Sequence, residues 1–242
     1  PENYGKKFYG PSTLRKGIEY SRNLMTVRIA QNLGLSKNLT ESHIAYDLNI
    51  LNLSKRINVL LESDIVYGEH SRLVIDLNRG QNDPTLIPSI SDKKLIPGNI
   101  RINSREFNFR KMKFYNSYHS KIDKIVNEKK IKLIISMHSF NPYFKGKKRK
   151  TEIGILSNKD RRYSDLLIRQ MAKSKRYIIG DNVPYKGELK DDTLYKHGLK
   201  KNILHTLIEV RNDLINTEIK VNKIKNEIKI PRDINRLFPE LV

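Results

Sequence analysis

Three stretches of this chain end apolar runs with polar groups that are costly to bury unless they are paired or used: Asp76-Leu77-Asn78-Arg79, His138-Ser139 and Glu209-Val210-Arg211-Asn212-Asp213. Each alone has an ordinary structural explanation. An Asn-Arg pair after a strand is commonly a satisfied turn, and a histidine at a strand end is commonly a hydrogen-bonding anchor. Together they supply an imidazole that could ligate a metal, a carboxylate that could act as a base, and a guanidinium fork that could grip an anion. The chain contains no cysteine, so disulfides and thiolate metal sites are excluded, and any metal must be held by His, Asp, Glu or backbone oxygen.

The elements that must position these groups can be read from the apolar periodicity. Ile44, Leu48, Leu51, Ile57, Leu60 and Leu61 recur at mostly helical intervals, predicting a helix over 44–61 that leads into a short strand at Ile65-Val66-Tyr67. Residues 72–77 and 131–137 are compact apolar runs of strand length, read as buried central strands. Asp83-Pro84, Ile87-Pro88 and Pro97-Gly98-Asn99 make the intervening segment irregular, and 107–128 reads as a helix. A strand over 153–156, a helix over 161–173 and a strand over 177–179 follow, then a helix or strand-containing segment over 202–215. This alternation predicts an α/β sheet with helices on both faces, where active sites gather at the carboxyl ends of the strands. The whole chain, 1–242, is expected to form one catalytic domain, with 216–242 a peripheral helical tail carrying Ile219, Val221, Ile224 and Ile228 among lysines.

Composition narrows the classes of partner. A formal charge of +21 would favour nucleic acid if the basic residues clustered, but Lys is spread along the whole length beside abundant Asn and Ile. A solvated basic surface accounts for it, and the run Lys145-Gly146-Lys147-Lys148-Arg149-Lys150 reads as a basic loop tip. No specific nucleic-acid partner is expected. The apolar runs fall well short of the roughly 20 residues needed to cross a bilayer, and the start is polar rather than signal-like. These features, with the lack of cysteine, fit a cytoplasmic protein with no membrane partner.

Residues 43–47 (HIAYD), 71–79 (SRLVIDLNR), 114–119 (FYNSYH) and 207–215 (LIEVRNDLI), within the span from about His43 to Ile215, together resemble the N-formylglutamate amidohydrolases, a family whose fold is similar to that of zinc carboxypeptidases. His43-Ile44-Ala45-Tyr46-Asp47 looks like the family's HIAWD-type segment, residues 71–79 (SRLVIDLNR) like its strand of that sequence, and Ile96-Pro97-Gly98-Asn99 like the loop that follows. Phe114-Tyr115-Asn116-Ser117-Tyr118-His119 is similar to the FYxPYH helix start, with Ser117 where proline is usual. Met137-His138-Ser139-Phe140, Ile153-Gly154-Ile155-Leu156, Asn182-Val183-Pro184-Tyr185 and residues 207–215 continue the match in order.

The resemblance implies a three-layer α/β/α fold with a mixed, largely parallel central sheet, and a mononuclear zinc site with Asp47 and His138 among its ligands. Zinc would lower the pKa of its water and polarise the scissile carbonyl. Glu209 matches the family's glutamate, which takes the water proton and passes it to the leaving amine. Asn78 and Arg79 match the pair that holds the substrate's carboxylate. Tyr185 would hydrogen-bond the substrate or the developing oxyanion, or pack in its turn. Arg72 and Arg211 either add positive potential or pair with Asp76 and Asp213, the latter being the safer reading; His43 and His119 are expected to hydrogen-bond within the ligand shell. The implied substrate is an N-acyl amino acid or a similar small carboxylate.

One departure stands at the amino end. Family members carry a His-containing turn of the form EHxxN or DHASN that supplies the first zinc ligand, and no histidine precedes His43 here. Either Glu19-Tyr20-Ser21-Arg22-Asn23 is a diverged version with Tyr20 in the histidine's place, or the motif lies upstream of Pro1. Pro1-Glu2-Asn3-Tyr4-Gly5, which looks like the PxxYG stretch that follows the histidine turn in relatives, favours the second. Three functions therefore compete: a zinc-dependent amidohydrolase, a metal-free carboxylate-binding module of the same fold, and, on charge alone, a nucleic-acid-binding protein.

Overall fold

A computed structural model describes residues 42–187, 189–228, 230 and 238; the expectations placed on residues 1–5 and 19–23, Tyr20 included, lie outside them. In chain order the elements are α1 (Ile50–Leu61), β1 (Ile90–Ser91), β2 (Lys94–Leu95), α2 (Ser104–Arg110), α3 (Ser117–Glu128), β3 (Leu133–Phe140), β4 (Tyr143–Phe144), β5 (Lys147–Lys148), β6 (Ile153–Leu156), α4 (Arg162–Ala172), β7 (Ile179–Asp181), α5 (Thr193–His197), β8 (Leu204–Arg211) and α6 (Glu218–Glu227). They pack as two compact units.

The larger unit contains Asp47–Val66, Asn78–Gln81 and the chain from His119 onward. Its sheet has the order β3-β8-β6-β7, with β3 parallel to β8, β8 antiparallel to β6, and β6 parallel to β7. The expected mixed, largely parallel sheet is therefore present, but β3, read from 131–137 as a buried central strand, is an edge strand among the described residues and is mostly half-buried: its apolar run meets helices α1 and α5 rather than a second neighbouring strand. Side chains alternate across a strand, so each face can be read from the register. One face carries Leu133, Ile135, Met137, Ile153, Ile155, Leu204, Ile208 and Val210, and it is covered by α1, α4 and α6 in one continuous apolar core. The helices meet it with regularly spaced residues: Ile50, Leu53 and Ile57 of α1, Tyr163, Leu167 and Met171 of α4, Val221 and Ile224 of α6. On the other face Leu156 and Leu207 pack with Leu194 of α5, and α5 is joined to α3 through a hydrogen bond between His197 and His119. Helices on both sides of the sheet give the three-layer arrangement.

Local chemistry fixes the helix ends. Asp192 caps α5 by accepting from the Tyr195 amide, Thr217 caps α6 by accepting from Lys220, and Glu62 closes α1 in the left-handed conformation with its N–H on the Asn58 carbonyl. Arg56 ties α1 to α6 through Glu218 and Asn222. The basic run 145–150 lies on the β4–β5 hairpin, whose turn uses Gly146 at φ 77°, a left-handed conformation that glycine adopts without penalty.

The smaller unit contains residues 42–46, Tyr67–Leu77 and Asn82–Tyr118. Here the structure corrects the reading of 72–77 as a central strand: Leu73, Val74 and Ile75 are buried, but they lie in turns and irregular chain rather than in a strand. Burial without a ladder is possible because loops and side chains satisfy the backbone. The Arg72 amide donates to the Ala45 carbonyl and the Asp76 amide to that of Leu86, while Asn99 donates to the Leu73 carbonyl and the fully buried Arg110 to that of Val74. An apolar run reports burial; it does not report who accepts the hydrogen bonds. Ile65-Val66-Tyr67 likewise forms no regular element, and the helix read over 44–61 begins only at Ile50. The helix read over 107–128 is α2 and α3 joined by a π-helical turn over Lys111–Asn116. No helix among the described residues is long and apolar enough to cross a membrane.

Candidate active site

The polar residues of the sheet collect on one face near the carboxyl end of β3. In the parallel β3–β8 ladder His138 pairs with Glu209, so both side chains leave the sheet on the same side, and across β8 the partner of Glu209 is Gly154. Glu209 is 8% exposed, a carboxylate held almost entirely out of water on the central strand. Gly154 leaves room for the chain above it: a Cβ there would lie 2.3 Å from the Val183 carbonyl oxygen. The segment Val183-Pro184-Tyr185, which includes a cis Val183–Pro184 peptide bond, thus passes directly over the strand beside Glu209.

Asp47 reaches this point from the turn before α1. Its Oδ2 lies 2.6 Å from His138 Nδ1 and also accepts from the Ser139 amide at 3.4 Å, while Ser139 Oγ donates to the Leu48 carbonyl at 2.7 Å. Ser136, one turn of the strand alternation earlier, lies 3.1 Å from His138 Nε2. With Asp47 as a carboxylate, Nδ1 carries the proton and Nε2 accepts from the serine hydroxyl, which fixes the tautomer and the ring plane. The side chains of Asp47 and His138 are 14% and 21% exposed, so the pair is reachable from solvent but largely enclosed.

The other expected site residues are placed by neighbouring turns. Asn78 Oδ1 accepts from the Thr193 amide in the first turn of α5, at 3.3 Å, and Arg79 follows in a half-buried turn whose next residue, Gly80, abuts Asp191. Tyr185 is 46% exposed, and its hydroxyl accepts from Arg149 at 3.0 Å. Thus Asp47, His138 and Glu209 are brought together by contact or register, whereas Asn78 and Tyr185 are fixed by partners of their own. Among the described residues no group of three His, Asp or Glu side chains is arranged to hold a metal ion.

Histidines and arginines outside this set divide cleanly. Arg211 pairs with Asp213 at 2.8 Å, as expected, and also with Glu152 at 3.2 Å. His43 meets Asp92 of the β1–β2 turn at 3.7 Å. His119 and His197 stack with ring centroids 5.1 Å apart, and His197 also contacts Asp123. Burial holds the His197 imidazole below its ordinary pKa against the raising effect of Asp123. Two contributors escape the sequence reading. Ser136 gives no signal beyond its place two residues before His138; Arg149 is signalled only by aromatic residues that flank the basic run at Phe140, Tyr143 and Phe144.

Comparison with known proteins places this geometry. A gene product of Agrobacterium tumefaciens, Atu2144, has a similar structure with a TM-score of 0.77 and 30% identity, covering 88% of this chain and 84% of that one. The N-formylglutamate amidohydrolase of Ralstonia eutropha JMP134 shares the fold at a TM-score of 0.51 and 18% identity, over 66% of this chain and 70% of its own. Among curated proteins the likeness is local: penicillin-binding protein 1A of Rickettsia bellii is 60% identical over 37 residues, 15% of this chain and only 5% of that protein. The sequence model of the N-formylglutamate amidohydrolases matches residues 17–216, which include every site residue described above. The chain belongs to the N-formylglutamate amidohydrolase family.

Proposed function

We propose that this protein hydrolyses the amide bond of an N-acyl amino acid, N-formylglutamate being the family's type substrate, with the assistance of zinc. The observation that carries the proposal is the meeting of Asp47 and His138 at 2.6 Å beside the buried Glu209, in a chain of an amidohydrolase family. An imidazole nitrogen and a carboxylate oxygen form a donor set suited to zinc in a protein without thiols; the metal would take the place of the proton between His138 Nδ1 and Asp47 Oδ2, and the pair would be two of the three protein ligands usual at a catalytic zinc. When bound, the metal supplies Lewis-acid polarisation of the carbonyl and a more acidic water.

The chain's own residues then divide the work. Glu209, on the same face as His138 and shielded from bulk water, accepts a proton from the attacking water and returns it to the departing nitrogen. Arg79 presents a planar pair of N–H donors to the substrate carboxylate, with Asn78 beside it anchored on the first turn of α5. Ser136 and the Ser139 amide hold His138 and Asp47 in their mutual orientation.

The test is metal analysis combined with release of glutamate from N-formylglutamate by the full-length gene product. About one zinc per chain is expected, lost in His138→Ala. Glu209→Gln should keep the metal while kcat falls roughly 10²- to 10⁴-fold with little change in KM. Stoichiometric zinc in His138→Ala would remove the ligand assignment, and unimpaired turnover in zinc-loaded Glu209→Gln would remove the mechanism. Carboxylate binding without turnover or zinc in the wild type would mark a metal-free binding protein.

A further inference from the structure

Arg149 stands out among the cations near the sheet's carboxyl end. Its guanidinium carbon lies 5.3 Å from the ring centroid of Phe140, 5.1 Å from that of Phe144 and 5.1 Å from that of Tyr185. One nitrogen donates to the Tyr185 hydroxyl at 3.0 Å. The backbone is fixed as well: the Arg149 amide donates to the Pro142 carbonyl at 2.7 Å, and its carbonyl accepts from Arg211 at 3.0 Å. Ordering a side chain with this much rotamer freedom costs conformational entropy, which these contacts offset.

Its charge sets it apart from its neighbour. Arg211 is neutralised by Asp213 and Glu152, while Arg149 has no carboxylate partner among the described residues. Three aromatic faces stabilise the cation through their quadrupoles without consuming its hydrogen-bond donors. A guanidinium has five N–H groups, and one is committed to Tyr185. The remainder form a preorganised fork for an anion, and a carboxylate matches that fork in plane and spacing.

Position gives the fork its use. Phe140 lies two residues beyond His138 on the same face of β3, about 7 Å along the strand. On the other side, Tyr185 belongs to the segment that crosses Gly154 next to Glu209. The cage is therefore built from the strand that carries His138 and the segment that adjoins Glu209. Resting on the reading of this site as one for an acidic N-acyl amino acid, we infer that Arg149 is a specificity-determining residue: it receives a second carboxylate of the substrate, distinct from the one held by Arg79, and Tyr185 is the positioning residue that aims it.

The test uses two ligands of equal length, glutarate and glutaramate, the latter having one carboxylate replaced by an amide. Calorimetric titration of the full-length wild type should give a glutarate affinity at least about tenfold tighter than that for glutaramate, the scale of one charge-assisted bidentate contact. Arg149→Met should bring the ratio close to one by weakening glutarate alone, and Arg149→Lys should restore part of it. Tyr185→Phe, which keeps the ring and removes the hydroxyl, should reduce the ratio a few-fold while the unfolding transition stays unchanged. A wild type that does not discriminate, a ratio unchanged in Arg149→Met, or equal weakening of both ligands overturns the assignment. Turnover of N-formylglutamate is measured in parallel. Selective glutarate binding without hydrolysis would refute the catalytic reading and keep Arg149, whereas hydrolysis with an unchanged ratio would do the reverse.

Discussion

His70 offers a sharp test of how the smaller unit is held together. Its ring sits 4.4 Å from that of Phe114, against the cluster of Val74, Ile75, Leu86, Phe114 and Tyr115. Nε2 is buried without a hydrogen-bond partner, so the hydrogen bond to the Ile75 backbone is made by Nδ1. Burial lowers the pKa from 6.5 to about 4, with the Ile75 hydrogen bond opposing it only in part. Above pH 6.5 the imidazole is neutral in both folded and unfolded chains and contributes no pH dependence. Between 6.5 and about 4 the unfolded chain takes up a proton that the folded chain refuses, so stability is lost as pH falls, at ~1.4 kcal/mol per unit and about 3 kcal/mol across the window.

His70→Asn removes the titrating group while leaving an amide donor near the place of Nδ1. With no tryptophan in the chain, urea unfolding is best followed by far-UV circular dichroism, from pH 7.5 down to 4. Other titrating groups are common to both proteins and cancel in the difference. The wild type should lose about 3 kcal/mol more than the variant over this range, even though the variant starts less stable at neutral pH. An NMR titration should show no protonation of His70 until well below pH 6. Parallel stability curves, or a His70 resonance that titrates near 6.5, would refute the argument that burial of this ring dominates its pKa.

Gly154→Ala places a Cβ 2.3 Å from the Val183 oxygen and 3.3 Å from Pro184 Cδ, so the segment bearing Tyr185 must lift; a destabilisation of roughly 1–3 kcal/mol with a raised KM is expected from urea unfolding and steady-state kinetics. Unchanged stability would mean that this segment yields freely. Arg79→Lys keeps the charge and loses the planar fork, so KM for a carboxylate substrate should rise about tenfold or more while an analogue lacking the carboxylate is barely affected. Equal impairment of both would show that Arg79 acts on structure rather than on the substrate.

What the sequence reveals of this site follows from which physical constraints are local. The helices over 107–128 and 161–173 are legible because a periodic apolar pattern is the imprint of one element's packed face; the run at 131–137 reveals a strand but not its place, since β3 is half-buried and at the edge of the described sheet rather than central. The pairing of His138 with Glu209 is not legible from either strand, since register belongs to two segments about 70 residues apart; only the ordered motifs of a family connect them. The misread segment at 72–77 shows the complementary limit. It is as apolar as a central strand, yet its carbonyls are met by Asn99 and Arg110, residues 26 and 36 positions away. Their value lies in a side-chain hydrogen bond that no periodicity records. Arg149 fails for a third reason. In a chain of net charge +21 one more arginine in a basic run carries no information, and its distinction is made by Phe140, Phe144 and Tyr185 closing around it. Sequence patterns thus report the faces that must be dry, whereas the surroundings of a single side chain such as Arg149 are set by neighbours drawn from separate segments.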